Sequence, residues 1–190
     1  MPALKIMGID LAGKSSNPTG ICYLNGNKLD FCTLFDDEDI LGYVFRHNPN
    51  LIVVDAPLSL PAGRCCLSNE CPCSKNGSHF RVAEVEMRRF GRTLPLTFKG
   101  MKLLTERGIS LKEKLERNYE VMESHPKTIQ NVLGFKSPLD IKKYFMIPPD
   151  INKHEMDAAL LVLTGIFYIK GRYIEFGDPD EGLIILPDSK

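Results

Sequence analysis

Leu51–Asp55 reads LIVVD, four apolar residues in unbroken succession that end on an aspartate and are halted by Ala56 and Pro57. A strand with one wet face alternates apolar and polar residues. An unbroken apolar run is a strand covered on both faces, the mark of a parallel strand inside an α/β sheet. Upstream, Leu4–Asp10 (LKIMGID) is a second apolar run that also ends on an acid, followed by a turn-rich stretch from Gly13 to Pro18. Thr19–Leu24 (TGICYL) and Lys28–Leu34 (KLDFCTL), joined by Asn25, Gly26 and Asn27, read as a hairpin. The chain thus opens as a three-stranded antiparallel meander. Between it and LIVVD, Asp36–Arg46 carries capping acids and places Ile40, Leu41, Val44 and Phe45 at helical spacing, which predicts a short helix.

Downstream, Ser59–Gly77 is loop-like, Ser78–Phe90 and Lys99–Asn118 read as helices, and Tyr119–Glu123 (YEVME) is a fifth strand, again ending in an acid. Asn152 is placed to cap a helix over Lys153–Lys170, in which Met156, Leu160, Leu163 and Phe167 form one apolar stripe. The tail, Arg172–Pro187, holds two short extended pieces around a GDPDEG turn. With no internal repeat and no linker, the expectation is a single domain over 1–190, with an insertion at about 58–118.

A chain of 190 residues and 21.4 kDa, 43% hydrophobic and 25% charged, can bury a core of its own, which excludes disorder. The longest apolar run, Ala158–Ile169, is interrupted by Thr164 and is too short to span a bilayer. The opening MPALKIMGID lacks the apolar stretch and cleavage site of a signal peptide, so a cytoplasmic protein without a membrane partner is expected. Twenty-four basic residues balance 24 acidic ones, which argues against coating nucleic acid through charge alone. The absence of tryptophan argues against a dedicated single-strand binder. Yet the balance is local nowhere: Arg81 to Arg117 holds ten basic residues against five acidic ones, while Asp36–Asp39 and the tail are acidic.

Asp10, Asp55 and Glu123 each end an apolar strand, and the late helix adds His154 and Asp157, three residues apart and so on one helix face. Carboxyl ends of strands are where open α/β sheets bind ligands. Several acids converging there repel one another, and a divalent cation relieves the repulsion. Hard oxygen donors suit Mg2+ or Mn2+, and a pair of such ions about 4 Å apart serves phosphodiester hydrolysis. In that chemistry Asp10, Asp55 and Asp157 bind metal, and Glu123 or His154 positions or deprotonates water. Lys14, Arg81, Arg88 and Lys99 are candidate contacts to substrate phosphates. The competing class is a module that keeps the acidic site but holds a nucleotide or metabolite without hydrolysis.

A separate signal lies in GRCCLSNECPCSKNGSHF, where Cys65, Cys66, Cys71 and Cys73 fall within nine positions and His79 follows. The spacing is not the paired C-x-x-C of a zinc ribbon, and a reduced compartment disfavours disulfides. The balance leans to a loop stabilised by Zn2+ or sensitive to redox state; a closed thiolate site of this kind is structural. Cys22 and Cys32, each within a predicted strand, read as small buried apolar residues.

GIDLAGK with the following TGI, IVVDAP with L-S-L-P, FRVAEVEMRRFG, the strand ending in ESHP, HEMDAALLVLTG and GDPDEGLIILP together resemble a prokaryotic family described as predicted nucleases of the RNase H fold, otherwise of unknown function. The likeness runs over nearly the whole chain, and more distantly extends to RNase H-like domains of the Holliday-junction resolvase type. It implies an α/β fold with a mixed five-stranded sheet, three antiparallel strands extended by two parallel ones, flanked by helices and interrupted by the cysteine-containing helical insertion. It implies two Mg2+ ions held by Asp10, Asp55 and Asp157, and DNA or RNA as partner; dimerisation stays open. His154 stands where the resolvase pattern often has a further acid, and Glu123 matches the family's own E-x-H-P segment. Arg81 and Glu84 match an Arg with an acid three residues later. Beside a metal site, such an Arg either grips a phosphate or forms an ion pair that orders a lid.

Overall fold

The computed structural model describes residues 3–189. Residues 1, 2 and 190, which the single-domain expectation also spans, lie outside the described residues. The order is β1 (Lys5–Asp10), β2 (Thr19–Asn25), β3 (Lys28–Leu34), α1 (Asp37–His47), β4 (Leu51–Val54), α2 (Val82–Met87), α3 (Lys99–Leu115), β5 (Glu120–Glu123), α4 (Pro126–Val132), α5 (Lys153–Ile169), β6 (Tyr173–Asp178) and β7 (Gly182–Pro187). All seven strands belong to one mixed sheet, ordered β3-β2-β1-β4-β5-β7-β6. β1, β4, β5 and β7 run parallel, while β2, β3 and β6 are antiparallel to their neighbours.

Side chains of β4 alternate between two cores. Leu51 and Val53 join Ile6, Cys22 and Leu24 beneath α5, whereas Ile52 and Val54 join Met7, Ile9, Ile21 and Tyr23 on the face carrying Ile40 and Val44 of α1 and Leu111 and Leu115 of α3. No residue of β4 is more than 1% exposed. Burial of each such side chain contributes about 1.5–3 kcal/mol, which is why the LIVVD run belongs in the middle of the sheet. Helix α1 starts where its acids predict, with the Asp36 carboxylate accepting from the Asp39 N–H at 2.8 Å. At α5, the Asn152 Oδ1 accepts from the Glu155 N–H (3.0 Å) and the Glu155 carboxylate accepts from the Asn152 N–H (3.1 Å), a reciprocal cap.

Several expectations are corrected. The sheet has seven strands rather than five, because the two tail pieces pair as a hairpin and β7 adds to β5 in parallel at Glu123 and Ile184. Ile184, Ile185 and Leu186 are buried, and only membership of the sheet hides both faces of that run. The helix expected over Ser78–Phe90 shrinks to Val82–Met87 with a 3-10 turn at Arg88–Phe90, since the Arg81 backbone is extended and caps it. Helix α4 and a 3-10 turn at Pro138–Lys143 were not foreseen. The single stripe on α5 is too narrow: everything from Ala158 to Gly165 is buried, because the sheet covers one side and α4 with the Pro138–Lys143 turn covers the other.

What sets α5 on the sheet is the lack of side chains at two strand positions. A Cβ on Gly8 would strike the Ala158 carbonyl oxygen, and one on Gly20 would strike the His154 carbonyl. The helix backbone therefore lies directly on β1 and β2. Gly8→Ala is expected to lower stability by about 1–3 kcal/mol through overpacking, read as a reduced midpoint in urea unfolding.

Candidate functional site

β1 and β4 pair in parallel with Ile9 opposite Val54, and the Asp55 N–H donates to the Ile9 carbonyl at 2.9 Å. Asp10 and Asp55 consequently leave neighbouring strands at the same level. The close seat of α5 at Gly20 brings its first turn over this edge, and His154 Nδ1 meets Asp10 Oδ2 at 2.7 Å. Asp10 and Asp55 also hydrogen-bond each other through their carboxyls.

Burial pushes the Asp55 carboxyl well above the usual carboxylate range, and the charges of Asp10, Asp157 and Glu123 push it further. Asp10 is raised by burial against the opposing pull of His154. Asp157 is pushed up to about 6, first by burial and then by the charge of Asp10, with Lys153, His154 and Lys127 opposing. The arrangement is a set of acids short of positive charge.

Asp10, Asp55 and Asp157 do not close into one tight knot. Among the described residues, the one group of three or more His, Cys, Asp or Glu donors lying within 4.8 Å of one another is Cys65, Cys66, Cys71 and Cys73. Cys65 Sγ lies 3.7 Å from Cys71 Sγ, and Cys66 Sγ 3.9 Å from Cys73 Sγ. All four are free thiols, and together they can hold a metal ion such as Zn2+. Hydrogen bonding within the cluster splits its acidities. The Cys65 backbone and the Cys71 thiol lower Cys73 to about 6, while Cys73 and Cys71 drive Cys65 up to about 12. His79 is outside this group, its Nδ1 2.8 Å from Thr97 Oγ1. Of the other cysteines, Cys22 is fully buried and Cys32 half-buried.

Glu123 is held away from the water-positioning or water-deprotonating role its position suggested. Its Oε2 accepts from the Leu58 N–H (2.9 Å) and from Arg81 Nη1 (2.8 Å), and its Oε1 from Arg81 Nη2 (2.6 Å). With both oxygens occupied, it has little capacity to take a proton from water. Arg81, expected on a phosphate or in an ion pair, forms the pair. It is fully buried, with Nε and Nη2 donating to Glu84 and Nη1 also donating to Ser59 Oγ (2.8 Å). No surface of Arg81 is left for a substrate.

Lys14, Arg88 and Lys99 are exposed; Arg88 lies over the Phe80 ring, 4.4 Å from its centroid. Within the basic stretch, Arg107 is spent on structure, donating to Asp37 (2.7 Å), the Ala12 carbonyl (2.6 Å) and the Phe35 carbonyl (2.6 Å). The cations that act on the acids are Lys153 and Lys127, which the sequence did not single out. Lys127 was missed with its helix, although Pro126 at the first helical position was a readable start signal. No protein-family model matches the chain, and no curated protein matches it in sequence.

Because the folded Asp157 carboxyl is raised, its ionised form opposes folding near neutrality, and the penalty fades as pH falls through about 6 toward 4. In metal-free protein, Asp157→Asn is expected to raise stability at pH 7 by about 1 kcal/mol after allowance for solvent screening. The gain should vanish below the ordinary Asp value, as read by thermal unfolding across pH 3–8 in a chelating buffer.

Proposed function

We propose that the chain is a metal-dependent nuclease of RNase H-like fold. The observation that carries this reading is the juxtaposition of Asp10 and Asp55 on adjacent parallel strands with Asp157 on the first turns of α5, acids held above the usual carboxylate range by burial and by one another's charge. The strand order β3-β2-β1-β4-β5, with its meander and two parallel additions, supports the fold reading; the β6–β7 hairpin then extends it. The donor set fits Mg2+ or Mn2+, being all hard carboxylate oxygen, with repulsion that a divalent charge offsets. When bound, such an ion polarises a phosphoryl oxygen and lowers the pKa of water. Asp10, Asp55 and Asp157 would hold it.

His154, whose Nδ1 lies 2.7 Å from Asp10 Oδ2, holds the Asp10 carboxyl in place. Lys127 and Lys153 bring positive charge beside the acids, where phosphates of a DNA or RNA strand would lie. Labelled DNA, RNA and hybrid duplexes in Mn2+ are expected to be cleaved by the native protein and not by Asp10→Asn. Mn2+ binding without cleavage of any of these would replace the reading with a non-catalytic nucleotide- or metabolite-binding module.

The cysteine cluster we assign to a structural Zn2+. Four thiolates at the usual Zn–S length of about 2.3 Å around a tetrahedral ion stand about 3.8 Å apart. The Cys65–Cys71 and Cys66–Cys73 separations, 3.7 and 3.9 Å, match that spacing without rearrangement. Untagged protein purified under reducing conditions should carry about one zinc per chain. Cys71→Ser should lower the zinc content and speed proteolysis within residues 62–79, and a native content near zero would remove the assignment.

A further inference from the structure

Beside Asp55 a cavity of about 220 Å3 opens between the end of β4, the end of β5, α2 and α3, closed on one side by the Arg92–Leu94 segment. Two of its lining residues carry a buried polar atom that is anomalous. Among the described residues, the buried side-chain oxygens or nitrogens that find no hydrogen-bond partner are Ser124 Oγ and Thr93 Oγ1, and both residues line this one cavity. Ser124 is only 1% exposed. A buried hydroxyl left unpaired costs about 1–3 kcal/mol, so a fold that places two in the same cavity carries a cost that a ligand can offset.

The remaining walls restrict that ligand. Met87, Met101 and Leu104 provide soft apolar surface, and thioethers pack well on aromatic rings. The acids in the lining are Asp55, Glu84 and Glu123, and Arg81 behind the two glutamates offsets a single negative charge, so the interior disfavours an anion and accepts a neutral group that carries hydrogen-bond donors. Arg92, exposed at the wall, is the cation available to an attached phosphate. The volume lies below the range of about 300–1,000 Å3 typical of drug-sized ligands, which fits one ring system. Neutral, flat, apolar on its faces and hydrogen-bonding at its edge, the matching chemical group is a nucleobase.

We infer that this cavity is a nucleobase subsite, in which Ser124 and Thr93 read the edge of one unstacked base next to the Asp55 edge. The inference rests on the nuclease reading for the identity of the larger substrate, but the subsite itself needs neither metal nor cleavage. Enzymes that handle single bases draw them out of the stack into such pockets, holding them by edge hydrogen bonds and apolar packing.

The test is calorimetric titration of the native protein, in buffer without added Mg2+ or Mn2+, with the four nucleoside 5′-monophosphates, and with ribose 5-phosphate as the baseless control. At least one nucleotide is expected to bind while ribose 5-phosphate does not. Ser124→Ala and Thr93→Val should each weaken that binding about tenfold while leaving the melting temperature unchanged or higher, since each deletes an unpaired buried hydroxyl. Leu94→Trp, at a partly exposed wall position, should block binding by filling the cavity. Nucleotides that bind no better than ribose 5-phosphate would overturn the subsite. So would a Ser124→Ala protein that melts earlier and binds unchanged, which is the mark of a structural hydroxyl. Base-dependent binding with no cleavage in Mn2+ leaves the subsite standing and removes the nuclease reading; cleavage with base-independent binding does the reverse.

Discussion

Helix α5 rests on β1 and β2 backbone against backbone, and the rest of the site follows from that contact. Gly8 and Gly20 have no Cβ to hold the helix away. Its first turn therefore reaches the ends of the strands, where His154 meets Asp10 and Asp157 comes under the field of the same carboxylate. Glycine inside a strand is unfavourable by about 0.5–1 kcal/mol relative to alanine. The buried stretch from Ala158 to Gly165, with several side chains each contributing about 1.5–3 kcal/mol, outweighs two such positions. The carboxyls are crowded because of how the helix packs, and their raised pKa values reflect that burial and crowding.

Arg81 performs the corresponding task for the insertion. It is buried between Glu84 on its own helix and Glu123 at the end of β5, so the long segment between β4 and β5 is anchored at the sheet edge by a charge that has no alternative partner. Removing one member of such a buried set leaves the others uncompensated, typically a loss of about 3–5 kcal/mol. The β6–β7 turn adds a second hold: Glu181 accepts from the Ala62 N–H (2.5 Å) and the Val82 N–H (2.6 Å). Further out, Arg64 donates to the Ser78 carbonyl (2.5 Å) and the Leu96 N–H donates to the His79 carbonyl (2.9 Å), linking the cysteine loop to the segment that walls the cavity beside Asp55.

Local signals were legible in the sequence and distant pairings were not. The LIVVD run, the Asn25–Asn27 hairpin and the Asn152 cap each express their structure within a few residues, and each forms as read. The β6–β7 hairpin was visible as two extended pieces, but its membership of the sheet depends on β5, some sixty positions earlier. Asp10, Asp55 and Asp157 were identifiable because strand ends and the first turn of a capped helix have known positions in an α/β fold. Glu123 carried the same signature, an acid ending an apolar strand, yet its partner lies 42 residues upstream and converts it from a free base into the counter-ion of Arg81. Ser124 and Thr93 had no signature at all: hydroxyls in loops are ordinary, and only the three-dimensional enclosure makes theirs unpaired.

The sulfur cluster brings four side chains of the insertion together over little chain. Its four residues lie within nine positions, whereas Arg81 needs Glu123 and Glu181 needs Ala62 from the far end of the chain. A loop of about ten residues closes in about 10–100 ns. During synthesis all four cysteines emerge before β5 does, so their sulfurs can approach one another without waiting for the rest of the sheet. Arg81 likewise has Glu84 three positions away, whereas Glu123, its second carboxylate, follows 42 residues later, so the insertion carries part of its own charge balance before it meets the sheet.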